Sequence, residues 1–111
     1  MKEAIVARAP RQRASLDQDA QRLESLVRGK GDYVHIAVCA ARGHLLVENR
    51  SVQAQPEVVA CATPLGGGDY GLSFRTHTGR WERMPVAGSL DDVAAATVAL
   101  LGPYLAPYDP A

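Results

Sequence analysis

Short glycine turns between strand-like runs constrain the fold of this chain more than any other feature. Three such runs follow one another, at residues 58–63, 70–77 and 80–84. Three glycines at positions 66–68 separate the first run from the second, and Thr78-Gly79 separates the second from the third. Connections this short and this rich in glycine typically join neighbouring antiparallel strands. The pattern therefore predicts three consecutive strands linked by two hairpins.

A further hairpin is predicted upstream, where two strand-like runs flank Arg42-Gly43. Residues 33–41 form an apolar, β-branched run, and residues 44–50 alternate between apolar and polar side chains. A two-residue loop fixes the pairing of the strands on either side of it. The predicted pairs are Ala41 with His44, Cys39 with Leu46, and His35 with Arg50.

The same reasoning, applied to Thr78-Gly79, predicts the pairing of the last two strands. With these two residues as the loop, Arg75 lies opposite Glu82 and Thr76 lies opposite Trp81. Opposite charges, and an aromatic ring beside a β-branched side chain, are favourable cross-strand neighbours. Pro85 has no N–H to donate and is expected to end the last strand.

Two helices are predicted, one on each side of the strands in the chain. The first begins at Ser15, where Gln18 completes a capping box, and it stops before two glycines. The second begins at Ser89, with Asp92 in the capping-box position, and it ends at Gly102-Pro103. Each helix carries one apolar stripe at helical spacing. The stripe residues are Leu16, Ala20, Leu23 and Val27 in the first helix and Leu90, Ala94, Val98 and Leu101 in the second.

These elements predict an α+β fold. It is a two-layer sandwich in which an N-terminal helix, a five-stranded antiparallel meander sheet and a C-terminal helix follow in that order. The 111 residues are enough for one hydrophobic core and too few for two. We therefore expect a single domain over residues 1–111, with either a flexible arm or a short extra strand at residues 1–14 and a C-terminal tail at residues 103–111.

Alternation along the strands assigns side chains to the two faces of the predicted sheet. The face expected under the helices carries the larger apolar residues, namely Val34, Ile36, Val38, Leu45, Val47, Leu72, Phe74 and Trp81, with Tyr70 at its end. The opposite face is expected to carry a mixed set, namely His35, Cys39, His44, Leu46, Glu48, Ser73, Arg75, His77 and Glu82. The third strand stays unassigned, because Val58, Ala60 and Ala62 are no more apolar than Val59 and Cys61.

Composition and charge exclude several classes of function. Twelve basic residues balance twelve acidic ones, so the phosphate footprint of a nucleic-acid-binding protein is not expected. No apolar run approaches the roughly 20 residues that a membrane span needs, and the first residues lack a signal-peptide pattern. Cys39 and Cys61 lie in predicted strands without CxxC spacing, which indicates free thiols. We expect a cytoplasmic protein.

The sequence predicts no catalytic, cofactor or metal site. His35 and Cys39 are separated by about 13 Å along a strand, too far to share a zinc ion. Burial in a strand raises a cysteine pKa rather than activating the thiol. His77 lies at a turn beside Arg80 without a paired carboxylate, and the glycines at 66–68 precede a strand rather than the helix that a phosphate loop requires.

A non-enzymatic protein-interaction module is the function that the sequence favours. The mixed sheet face is too apolar in places to remain fully exposed to solvent, and its Arg and His residues supply polar anchors. The partner is expected to be another protein or a second copy of the chain, as a homodimer. The alternative is a small-molecule-binding domain or minor enzyme, with a pocket near the loop at residues 66–68. The predicted interaction surface comprises Tyr33, His35, Leu46, Arg75, His77 and Glu82.

Overall fold

The predicted order of elements is confirmed in the computed structural model, which describes residues 16–51, 56–76 and 78–107. Helix α1 covers residues 16–28, and five strands and a second helix follow it. The later elements are β1 Ile36–Ala41, β2 His44–Asn49, β3 Glu57–Gly66, β4 Asp69–Arg75, β5 Trp81–Gly88 and α2 Leu90–Leu105. The strands form one antiparallel sheet in the order β1-β2-β3-β4-β5. The predicted arm at residues 1–14 lies outside the described residues.

Both helices pack against the same side of the sheet, which we call the inner face. One core cluster joins apolar residues of α1, the strands and α2. Ala60 and Ala62 belong to this cluster, so their side chains settle the orientation of β3 that alternation alone left open. Val34, predicted to lie under the helices, is instead 74% exposed, because β1 begins only at Ile36. Core members that are fully buried include Leu23, Val27, Ile36, Leu45, Val47, Leu72, Val93 and Leu105.

Helix α1 covers the edge of β1 that has no neighbouring strand. Glu24 Oε1 accepts a hydrogen bond from the Val38 backbone N–H at 2.9 Å, and Arg28 Nε donates one to the Ile36 carbonyl at 2.9 Å. Glu24 and Arg28 also contact each other at 3.4 Å. These side chains occupy backbone groups that a neighbouring strand would otherwise pair with, so this edge is closed to strand addition.

The hairpin between β1 and β2 has the predicted pairing. Ala41 lies opposite His44 and Cys39 lies opposite Leu46. The backbone N–H of Arg50 donates to the carbonyl of His35 at 2.9 Å, as the predicted register requires. Arg42 and Gly43 both adopt positive φ, at 53° and 80°. This is the backbone of a type I′ turn, whose twist matches that of the flanking strands.

The predicted pairing between β4 and β5 is wrong by one residue. Arg75 lies opposite Trp81 and Phe74 lies opposite Glu82, and the Thr76 N–H donates to the Arg80 carbonyl at 2.8 Å. Three residues therefore separate the paired Thr76 and Arg80, and the last of them, Gly79, has a φ of 85°, the left-handed position typical of three-residue hairpins. Because side chains alternate with a period of two, the shift turns Trp81 away from the core and Glu82 toward the inner face.

Two proline predictions are also wrong. Strand β5 continues through Pro85 to Gly88, which an edge strand permits because its outward N–H groups have no strand partner. Helix α2 continues past Gly102-Pro103 to Leu105. Leu101 breaks the helix with φ −114° and ψ 16°, and Pro103 stands in the first turn after this break, where its missing N–H costs no helical bond.

Tyr70 links the start of β4 to α1. Its hydroxyl donates a hydrogen bond to Asp19 Oδ2, and its side chain is buried in the core, as predicted. Burial raises the pKa of Tyr70 well above its ordinary value, and the hydrogen bond to Asp19 and the charge of that carboxylate act in the same direction.

We expect Tyr70 to make folding sensitive to alkaline pH. Since the pKa is higher in the folded than in the unfolded chain, the contribution is complete below about pH 10 and is lost as pH rises through the folded pKa. The free energy of unfolding should fall by up to about 1.4 kcal/mol per pH unit in that range. Urea denaturation of the wild type and Tyr70→Phe at increasing pH measures the difference.

The wild type should have a higher free energy of unfolding than Tyr70→Phe, and this difference should shrink above about pH 10. Tyr104→Phe is the matched control, because the Tyr104 side chain is 49% exposed. An advantage that stays constant into strong alkali would contradict the role given to Tyr70.

Candidate functional site

The sheet face opposite the helices, which we call the outer face, is the candidate site. One row of side chains crosses all five strands on this face, since each member lies opposite the next. The row comprises Cys39, Leu46, Cys61, Ser73 and Arg83. No helix or strand among the described residues packs on it. In the described part of the chain, helices therefore cover only one face of the sheet.

An apolar depression of about 510 Å³ lies at the centre of the outer face. Its lining includes Leu46 and Cys61, from neighbouring strands, together with Trp81 at the start of β5. Trp81, the only tryptophan of the chain, is 46% exposed. An exposed indole in an apolar depression is typical of the residues that anchor protein interfaces.

Cys61, Thr63 and His44 form a short polar chain along one side of the depression. His44 Nδ1 and Thr63 Oγ1 share a hydrogen bond at 3.0 Å, and Thr63 Oγ1 lies 3.9 Å from Cys61 Sγ. Burial raises the pKa of the Cys61 thiol. A protonated thiol is a poor nucleophile, so the geometry does not form an activated cysteine.

Cys39 lies on the other side of Leu46 and is held by Glu48. Its thiol donates to Glu48 Oε2 at 3.6 Å, and burial together with the Glu48 charge raises the pKa of Cys39. Glu48 also accepts a hydrogen bond from Arg50 Nε at 2.9 Å. Cys39 and Cys61 are both free, and the strand between them separates them by roughly 10 Å, which is too far for a disulfide.

Three arginines flank the apolar centre on two sides, one next to β1 and two on β4 and β5. Arg42 forms the turn after β1 and lines the depression, Arg75 lies opposite Trp81, and Arg83 ends the cross-strand row. All three are exposed. Of the carboxylates described on the outer face, Glu48 is paired with Arg50 at 2.9 Å, and Asp69 lies at the far end of β4. The rim of the depression is therefore basic.

The structure separates the residues that were predicted to form one surface. Leu46 and Arg75 lie on the outer face as expected. Tyr33 packs against the core cluster, and Nε2 of His35 contacts the Leu105 carbonyl at the end of α2, so these two residues lie on the helix side. Glu82 is turned to the inner face by the corrected pairing. His77 lies outside the described residues.

Trp81, Arg42 and Arg83 were missed as outer-face residues. A signal for Trp81 was available, because Met84 and Val86 are the other large apolar side chains of β5 and both pack against the core. Burying this pair by alternation forces Trp81 to the opposite face. The prediction for this strand followed the apparent two-residue turn at Thr78-Gly79 instead of this alternation.

Two further depressions lie at the sheet margins. One of about 240 Å³ adjoins Leu65 and Pro85 on the outer face, and one of about 460 Å³ lies between Arg75, Glu57 and Tyr104. In the part of the chain that the structure describes, the glycines at 66–68 line neither of them. All three glycines have positive φ, between 64° and 98°, so they serve to reverse the chain between β3 and β4.

The described residues bring together an apolar anchor and a basic rim rather than reactive groups. No cluster of three or more His, Cys, Asp or Glu side chains within them is arranged to hold a metal ion. Neither described helix combines the length and apolarity needed to cross a membrane. Comparison with known proteins found no matching family model, no similar curated protein and no similar solved structure.

Proposed function

We propose that this chain is a non-enzymatic protein-interaction module that binds its partner through the outer face. The observation that carries the proposal is an apolar sheet face, centred on Leu46, Cys61 and Trp81, on which no described element packs. Leu65 adds a further large apolar side chain to this face and is 55% exposed. Exposed apolar patches bounded by polar groups are typical of protein-binding surfaces.

The chemistry of the outer face favours binding over catalysis. Both thiols have raised pKa values, which keeps them protonated near neutral pH. The His44 ring nitrogen Nδ1 is engaged by Thr63. We also place the protein in the cytoplasm, because two separated free thiols suit a reducing compartment.

Site-specific photo-cross-linking in the native cells tests the proposal. A benzoylphenylalanine in place of Trp81 retains an aromatic side chain at the centre of the outer face. The same probe in place of Leu100 is the matched control, since Leu100 is 52% exposed but belongs to α2. We expect adducts of defined mass from position 81, identified by peptide mass spectrometry, and none from position 100.

Two results would count against a binding role for the outer face. The first is the absence of adducts from position 81 in a chain that remains folded by circular dichroism. The second is an equal set of adducts from both positions, which would indicate random collision.

A further inference from the structure

We infer that the occupant of the outer face is an amphipathic α-helix of a partner protein, with an apolar stripe flanked by Asp and Glu. This inference rests on the proposed function and specifies its partner. Its basis is the combination of an apolar centre at Leu46 and Trp81 with a rim of exposed arginines.

Charge complementarity selects an acidic partner. Arg42 lines the depression next to β1 and β2, whereas Arg75 and Arg83 lie on its β4–β5 side, opposite Trp81 and Ser73. No carboxylate that the structure describes pairs with these arginines in a salt bridge. Glu48, the carboxylate nearest the centre of the face, is already bound to Arg50. Interfaces arrange opposite potentials across from each other, and like charges brought together cost several kcal/mol. Carboxylates around an apolar stripe would satisfy all three guanidinium groups.

The same charges disfavour a second copy of this chain as the occupant. Two outer faces in contact would bring six arginines of two copies together, and the available carboxylates near each centre would be the two Glu48 side chains, each already paired. The chain's own first 15 residues are disfavoured for the same reason. They carry Lys2, Arg8, Arg11 and Arg13 against a single acidic residue, Glu3.

The dimensions of the outer face suit one helix. Five strands at about 4.8 Å spacing span roughly 19 Å from β1 to β5. A helix with its side chains is about 10–12 Å across, which leaves room for arginines on both sides. A helix on this face would also give the sheet a second covering layer, an arrangement common in proteins that combine helices and sheets.

A display selection with defined baits tests the inference. The library consists of designed helices that share one apolar stripe and vary among Asp, Glu, Lys, Arg and Gln at the flanking positions. The baits are the wild-type chain, the charge-reversed variant R42E/R75E/R83E, and Leu46→Glu. All three arginines are exposed, so the charge-reversed chain should fold, and circular dichroism verifies this.

We expect the wild-type chain to enrich acidic flanks and the charge-reversed chain to enrich basic flanks. A selected acidic helix should bind the wild type at least about tenfold more tightly than R42Q/R75Q/R83Q, and added salt should weaken it. Trp81, the only tryptophan, reports binding directly through a blue shift of its emission.

Several outcomes would overturn the inference. One is the same flank composition on wild-type and charge-reversed baits, and another is no helix enriched on the wild type above Leu46→Glu. A third is a wild-type dimer in sedimentation that Leu46→Glu dissociates, which identifies a second copy as the occupant. Adducts from position 81 would then still support the proposed function, whereas their absence would remove both proposals.

Discussion

Replacement of Leu46 by glutamate is expected to abolish cross-linking from position 81 while the chain remains folded. Leu46 lies between Cys39 and Cys61 in the cross-strand row and lines the central depression. A buried hot-spot residue at the centre of an interface contributes about 2 kcal/mol or more, so affinity should fall by at least about 30-fold. A new carboxylate inside the arginine rim would also repel an acidic partner.

The loss of binding must be separated from a loss of folding. Leu46 is half-buried, and a carboxylate near three arginines on an open face should cost the fold only about 1 kcal/mol. Leu100→Glu introduces the same charge on α2, at a position that is 52% exposed. It should leave the adducts from position 81 unchanged. Retained adducts in a folded Leu46→Glu chain would show that the partner does not use this depression.

Replacement of Leu72 by alanine is expected to lower the free energy of unfolding by about 2–5 kcal/mol. Leu72 is fully buried in β4, opposite Ala62 in the core cluster. The small side chain of Ala62 cannot expand to fill the space that the leucine vacates. The loss therefore includes both apolar transfer and a residual cavity, and urea denaturation followed by far-UV circular dichroism measures it.

The exposed Leu65 supplies the comparison for Leu72. Its side chain is 55% exposed on the opposite side of the sheet, so Leu65→Ala should cost less than about 1 kcal/mol. A small domain has a total stability of about 5–15 kcal/mol, which makes the Leu72 loss a large fraction of it. Equal losses for the two variants would mean that the inner face is not the core.

Local sequence signals predicted the pairing of β1 with β2 correctly and that of β4 with β5 incorrectly, and the difference lies in the turns. Arg42-Gly43 is bounded by strand residues on both sides, and its two residues adopt the positive φ that a two-residue turn requires. At Thr78-Gly79 the glycine also has positive φ, but it ends a three-residue loop. A glycine suits both loop lengths, so the turn alone does not determine the pairing.

The end of α2 shows a second limit of local signals. Gly102-Pro103 ordinarily ends a helix, and Leu101 does leave helical geometry there. The helix resumes because Leu105 is fully buried in the core. Asn49 donates to the carbonyls of Tyr104 and Ala106 at 3.2 and 2.8 Å, and His35 contacts that of Leu105. These contacts come from residues distant in the chain, which no local pattern reveals.

The candidate site was predictable only in part. Period-two alternation placed Leu46 and Arg75 on the outer face, because their strands were identified correctly. Tyr33 and His35 were misplaced because β1 begins at Ile36, so alternation does not extend to them. Trp81 and Arg83, the site residues that lie on β5, depend on the pairing of β4 with β5.

The sequence by itself determined the order of elements, the N-cap of α2 and the pairing of β1 with β2, because each depends on contacts between residues close in the chain. Only the tertiary structure decided which side of the sheet carries Trp81. Its orientation depends on a one-residue difference in loop length, and packing of Met84 and Val86 against the core cluster selects one of the two alternatives. The glycine-bounded strands therefore established the fold, whereas packing against the helices determined which side chains the outer face presents.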